Sequence, residues 1–309
     1  MLDLGFAPIS IFRKGKELLV TSLDRLERIK PLLWCPLCRE DLDFTETEAV
    51  CRKCKKQFPI RNGRIFFCDP LGATDTLDGF KLWLRRLLEN HYRTIADIVA
   101  PDLPVLRHRE LRRVFNTRKD IVLDIGSGSQ RLDDYVIALD IVDYEGVDVI
   151  CDVHALPFRA GSIDGSTSWG VLEHLDNPYK VVQGLHECTR PGGRSLHMIP
   201  FMFPFHASPA DYFRFTHEGV KRLFADWTAV EIRNPSGPVS LFLLSFVEFL
   251  SVVVSFGNPK IKGIAYLIFC GLTFPFKLLD LPFRNRKSFL GMAPTLLVHF
   301  QKPLTTGLG

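Results

Sequence analysis

The hydrophobic positions of this chain fall into three regimes. In the central part, short β-branched or aliphatic runs alternate with polar turns: IVLDIGSGS, YVIALDI, VDVICDV, IDGSTSW and RSLHMIPF follow one another, with a helix-period stretch, NPYKVVQGLHEC, before the last. Runs apolar on both faces, separated by helical or turn segments, predict a mostly parallel sheet covered on both sides. Two later runs, TAVEIRNPSG and APTLLVHFQKP, predict a closing antiparallel pair. Before these, residues 71–118 have apolar positions at helical spacing (TLDGFKLWLRRLLENHYRTIADIVA) and a second helix after Pro104, with Arg85, Arg86, Arg112 and Arg113 on solvated faces.

The third regime is almost wholly apolar. Residues 239–256, VSLFLLSFVEFLSVVVSF, carry one charge, Glu248, and a second run, IKGIAYLIFCGLTFPFKLLDLPF, is interrupted by Pro275 and Lys277. Eighteen helical residues span about 27 Å, close to a thin hydrocarbon core. Ser245, Glu248, Ser251 and Ser255 share a narrow polar stripe, and Glu248 at mid-depth weighs against a lipid-facing span. The expectation is a hairpin in or on a membrane, with Lys260, Lys262, Lys277, Arg284, Arg286 and Lys287 at the headgroups. Two full spans and a soluble cap at a homodimer interface are the competing readings.

These shifts divide the chain into an N-terminal segment 1–30, a cysteine-rich unit 31–70, a helical linker 71–118 and an α/β domain 119–303, with a hydrophobic insertion 238–285. Cys35, Cys38, Cys51 and Cys54 form two C-x-x-C turns. Each turn aims its two sulfurs the same way, so the four suit one tetrahedral zinc ion, and four thiolates leave no open position, which makes the site structural. Behind them, KKQFPIRNGRIFFC predicts a hairpin turning at Asn62-Gly63. This stretch resembles the zinc-ribbon family of small methyltransferase activators, with FPIRNGRI matching a motif of that family and Arg64 departing from its usual Ile.

In the centre, a strand ending in Asp124 feeds a turn with Gly126 and Gly128, where bare backbone can approach a ligand. Acids close the next two strands, Asp140 and Asp152; the fourth ends near Trp169 and Glu173, and TRPGG leads into the fifth. Together, VLDIGSGS, LDI, CDVHALPF, VLEHLDNP and TRPGG resemble the class I S-adenosylmethionine (SAM) methyltransferases, in particular the type 11 group. The resemblance implies a Rossmann-like fold with a seven-stranded sheet. It also implies that Asp124, Gly126 and Gly128 hold the methionine end, Asp140 the ribose, and Asp152 with Val153 the adenine, with Trp169 and Glu173 on the cofactor side. Gln130 stands where the group has a third glycine, and only SQRLDD separates the loop from the next strand, so the first helix is nearly absent. A dinucleotide dehydrogenase would need G-x-G-x-x-G with a full helix behind it.

After the fifth strand, HASPADYFRFT resembles a signature of methyltransferases associated with glycan and envelope synthesis. It makes His206 the candidate base, with Asp211 and Arg214 orienting an acceptor; a local Asp211–Arg214 ion pair is the structural reading. The net charge of +4, with no dense basic run, predicts no nucleic-acid partner. No secretory signal is read at the N-terminus, and the scattered Cys68, Cys151, Cys188 and Cys270 fit a reducing cytoplasm. The expectation is therefore a SAM-dependent methyltransferase at the inner membrane face, acting on a lipid, a lipid-linked glycan or another apolar small molecule. RNA methylation and a non-catalytic scaffold are the alternatives.

Overall fold

The computed structural model describes residues 20–72, 95, 98–206 and 210–304. The helix read over most of residues 76–100 lies largely outside them, as does most of the 1–30 segment. The ribbon strands are β1 (Leu42–Phe44), β2 (Glu48–Cys51), β3 (Gln57–Arg61) and β4 (Arg64–Phe66). The α/β strands are β5 (Val122–Ile125), β6 (Ile137–Asp140), β7 (Val149–Ile150), β8 (Ile163–Trp169), β9 (Thr189–Pro200), β10 (Thr228–Arg233) and β11 (Thr295–Gln301). Described helices are α1 (Ser22–Ile29), α2 (Arg107–Val114), α3 (Pro178–Cys188), α4 (His217–Leu223), α5 (Pro238–Ser255) and α6 (Pro259–Thr273).

All seven predicted strands form, in the order β7-β6-β5-β8-β9-β11-β10, with β11 antiparallel to both its neighbours. Every residue of β5 is buried, as the apolar runs predicted for a sheet covered on both faces. The sheet does not stop at seven. β4 lies parallel to β7, with Ile65 opposite Val149 and Phe66 opposite Ile150, so ribbon and α/β domain share one eleven-stranded sheet. Asn62 and Gly63, both at positive φ (52° and 70°), make the predicted hairpin turn. A side chain at Gly63 would come within 2.5 Å of the Leu23 backbone, so the turn presses against the start of α1.

Residues 126–136 contain no helix, as the short SQRLDD spacer predicted. What replaces it is a buried charge cluster. Asp148, 1 % exposed, accepts from Arg25 Nε of α1 at 2.8 Å, from Arg131 at 2.8 Å and from the Ala138 N–H at 2.9 Å. Arg131 also donates to the Val136 and Gly146 carbonyls, so one side chain holds the loop a helix would have filled.

The apolar insertion folds as a helical hairpin. Glu248 and Lys262 pair between its two helices, so the one acid of the first run is neutralised within the hairpin. One headgroup assignment is corrected here: Lys277 is buried, donating to the Ile98 and Ala100 carbonyls. Leu241, Leu243, Leu244 and Val247 of α5 face the protein, whereas Phe242, Phe249, Ile264, Ile268 and Leu272 are exposed. Among the described residues, Pro238–Ser255 and Pro259–Asp280 are long and apolar enough to cross a membrane. The fully buried Asp280 carboxylate accepts from the Val239 and Ser240 N–H groups and so caps α5 from the far end of the hairpin. Asp280→Ala leaves both donors unsatisfied and is expected to cost about 1–2 kcal/mol, read as a melting temperature lower by several degrees.

Candidate active site and zinc centre

The four ribbon cysteines converge. Their sulfurs lie within 4.8 Å of one another, with Cys38 to Cys51 at 3.4 Å and Cys35 to Cys54 at 3.7 Å. Tetrahedral Zn–S bonds of about 2.3 Å set sulfurs roughly 3.8 Å apart, so the donor set fits zinc with small adjustments. Arg39 and Lys55, both at φ 58°, make the left-handed residue that ends each turn.

At the carboxyl ends of the parallel strands, where an open α/β sheet binds ligands, lies a cavity of about 580 Å³. Asp124, Gly126, Ser127 and Gln130 line it from the β5 loop, Trp169, Gly170 and Glu173 from the end of β8, Phe203 and His206 from the segment after β9. The opposite wall is the stretch from Ala100 to His108. Gly126, at φ +61°, passes so close to Val171 that a side chain there would sit 2.7 Å from its methyl group. Gly128, at φ +63°, has open space where a side chain would be.

Several buried polar atoms of this cavity have no hydrogen-bond partner among the described residues: Asp124 Oδ1, Ser127 Oγ, Trp169 Nε1 and both Glu173 oxygens. Such atoms are costly unless a ligand meets them. Burial pushes the Asp124 carboxyl up to about 7, with Arg107 and Arg131 opposing. An acid in that state gains from a cationic ligand group such as the ammonium of SAM.

The other predicted residues sit differently. Gly128, Asp140, Asp152 and Val153 lie beside the cavity lining, along the ends of β5, β6 and β7. Asp140 accepts the Gly128 N–H at 2.8 Å and the Val142 N–H at 3.0 Å, so it fixes the glycine loop. Asp152 caps the turn at Val153–Ala155 and bonds His154. Of the three acceptor-side candidates, only His206 lines the cavity. Arg214 spends its donors on Asp211 and on the Phe203, Phe213 and Pro204 carbonyls, and that pairing holds Asp211 down to about 2. Asp211 also accepts the His206 N–H at 2.9 Å, so the pair clasps the segment that carries His206. The Glu173 carboxylate, with smaller contributions from the Pro204 carbonyl and Asp211, raises the His206 pKa against the effect of burial. One lining residue had no sequence signal: Arg107, in what read as a solvated helix, lies over the Trp169 ring at 5.7 Å.

Comparison with known proteins agrees with this geometry. Residues 123–196 match the methyltransferase domain family, and residues 29–63 match the Trm112p-like protein family. By these matches the chain joins a methyltransferase domain of the type 11 group to a Trm112p-like zinc ribbon. A curated relative, the mouse tRNA (carboxymethyluridine(34)-5-O)-methyltransferase ALKBH8, is 29 % identical over 131 residues, 36 % of this chain. The match spans 20 % of that protein's length. Among solved structures, the complex of the Haloferax volcanii Trm112 methyltransferase activator with a methyltransferase aligns at TM-score 0.38 and 15 % identity, over 75 % of this chain and 98 % of that one. Haemonchus contortus phosphoethanolamine N-methyltransferase 2 bound to SAM aligns at 0.41 and 14 %, over 74 % and 61 %.

Proposed function

We propose that this methyltransferase acts on RNA, with SAM seated across the ends of β5 to β8 and the acceptor entering past α2. The observation that carries this reading is the match, over 131 residues, to a tRNA-modifying relative. It revises the expectation against nucleic acid. The face of α2 supports it: RHRELRRV holds four arginines and a histidine in eight residues, Arg107 and His108 line the cavity, and Arg109, Arg112 and Arg113 are exposed further along the helix. Arg112 and Arg113 pair with Asp133 and Glu231, so the stripe is partly neutralised.

In this reading, SAM supplies an electrophilic methyl carbon on a cationic sulfur. Asp124 would accept from the ammonium, Arg107 would meet the carboxylate, Asp140 and the glycine loop would hold the ribose, and Asp152 with Val153 would border the adenine. Trp169 and Phe203 wall the reacting centre from water. Glu173 and His206 border the acceptor, while Asp211 and Arg214 hold the His206 segment in place. Alignment of the methyl group with the acceptor supplies much of the rate.

A second reading, a membrane-held lipid or glycan acceptor, is favoured by the exposed apolar face of the hairpin. The hairpin is joined to the cavity wall, since Lys277 holds the Ile98 and Ala100 carbonyls and Ser240 accepts the Leu103 N–H. It would place the enzyme at the inner face of the membrane. The deciding experiment supplies methyl-tritiated SAM and the zinc-loaded protein with total RNA and, separately, with membrane lipid extract. Ribonuclease-sensitive label lost in Asp140→Ala is the expected result; label confined to the lipid fraction would replace RNA with the second reading.

A further inference from the structure

Beyond the cofactor site, three metal-ligating groups meet at the acceptor side of the cavity. Glu173 Oε1, His174 and His206 each offer a donor atom, all within 4.8 Å of one another. Glu173 is fully buried, and neither of its oxygens has a hydrogen-bond partner among the described residues. The two imidazoles face it without closing on it: His174 Nε2 stops 3.7 Å from Oε1 and His206 Nε2 stops 3.6 Å away. An imidazolium bonded to a carboxylate would approach within about 3 Å. Donors of one ion, by contrast, are held apart: bonds of about 2.1 Å at a tetrahedral angle leave roughly 3.4 Å between them.

The outer contacts orient both rings for the same purpose. His174 Nδ1 hydrogen-bonds the Ala210 carbonyl, and His206 Nδ1 faces the Pro204 carbonyl at 3.2 Å. A carbonyl can only accept, so in the neutral rings Nδ1 carries the proton and Nε2 presents a lone pair; at His206 the Arg214 Nη2 also lies 3.4 Å from Nδ1. This is the outer-shell pattern of metal-bound histidine. The segment bearing His206 is tied to the same spot, because Tyr212 N–H donates to the Glu173 carbonyl at 2.8 Å. Gly170 permits the close approach: a side chain there would lie 3.3 Å from Glu173 Oε1.

We propose that Glu173, His174 and His206 form a second metal centre, a two-histidine, one-carboxylate site for a borderline divalent ion such as Zn²⁺, Mn²⁺ or Fe²⁺. Its remaining coordination positions face the cavity beside Trp169 and Phe203, where they can take an oxygen of the acceptor. This deepens the proposed reading and rests on the same cavity. The ion lowers the pKa of a bound acceptor hydroxyl, whose proton leaves to bulk water. The oxygen lone pair then forms the bond to the methyl carbon as the carbon–sulfur bond breaks, and that electron pair stays on sulfur as a neutral thioether. His206 is then a ligand and not the base, and the site selects oxygen acceptors.

The test is a Co²⁺ titration of the full chain with zinc already in the ribbon. The wild type is expected to bind one further equivalent with the weak visible bands of nitrogen–oxygen ligation. Glu173→Gln and His206→Ala should weaken that binding by about 100-fold while keeping the ribbon zinc, which reports that they are folded. Uptake of no second equivalent, a second equivalent with intense thiolate bands, or binding unchanged in both variants would each overturn the proposal. The wild-type titration decides even if a variant fails to fold. Calorimetry with S-adenosylhomocysteine reads the cofactor site separately, so failure of the metal centre and failure of the methyltransfer reading give different results.

Discussion

Asp124→Asn is expected to weaken SAM binding by about 100- to 1000-fold while raising the melting temperature of the unliganded protein. The two effects share a cause. Asp124 is 3 % exposed, one oxygen has no partner among the described residues, and burial holds its pKa near 7. Removing one member of a buried ammonium–carboxylate pair costs roughly 3–5 kcal/mol, hence the affinity loss. Without ligand, the carboxyl is a liability. The folded state keeps its proton up to about pH 7, whereas the unfolded chain releases it near 3.8, so the folded state binds more protons between those values. Stability therefore falls as pH rises from about 4 to 7, by an amount on the order of 4 kcal/mol. Asparagine abolishes that fall, and thermal melts across the range would read it. SAM affinity should run the opposite way, rising through pH 7 as the carboxylate forms to meet the ammonium. An affinity flat across that range in the wild type would remove Asp124 from the ammonium site.

Stripping zinc from the ribbon should abolish methyl transfer, although every proposed cofactor ligand follows residue 100. Structural zinc contributes on the order of 10–16 kcal/mol in small ribbons, comparable to the entire stability of a domain. Without it the hairpin of β3 and β4 has no support, and β7, two residues long, loses one of its two neighbours. The Gly63 turn also releases α1, and Arg25 then leaves Asp148 with Arg131 as its remaining charge partner. That cluster anchors the loop leading from the cavity to β6. Chelation, or Cys51→Ser, should lower S-adenosylhomocysteine affinity at least tenfold in calorimetry, with recovery on zinc addition after chelation. Full affinity in the metal-free chain would show that the ribbon is a passenger.

The parts read from sequence were those whose signal is local. Buried parallel strands leave apolar runs, zinc knuckles leave paired cysteines, and the missing helix after Gly128 showed in the shortness of SQRLDD. Chemistry assembled from distant segments left no such trace. Lys277 looked like a headgroup cation because the carbonyls that hold it belong to residues 98 and 100, nearly 180 positions away. Arg107 was not singled out, since nothing near it in sequence announces Trp169. Glu173 and His174 were legible as an adjacent pair, but only folding brings His206 to them from 32 positions on. The pairing of β4 with β7 was hidden for the same reason: the strands are short, and 82 residues separate Phe66 from Asp148, whose carbonyl accepts the Ile65 N–H.

That pairing bears on how the chain is made. A ribbon that folds on its own metal as it leaves the ribosome, ahead of the α/β domain, would have β4 ready when β7 is synthesised. The outer strand of the parallel sheet never waits with its hydrogen-bonding groups bare, a state in which edges attract other chains. A fragment beginning after residue 70 would lack this template. It should be recovered as aggregate, with the N-terminal ribbon acting as a built-in chaperone for the domain that follows.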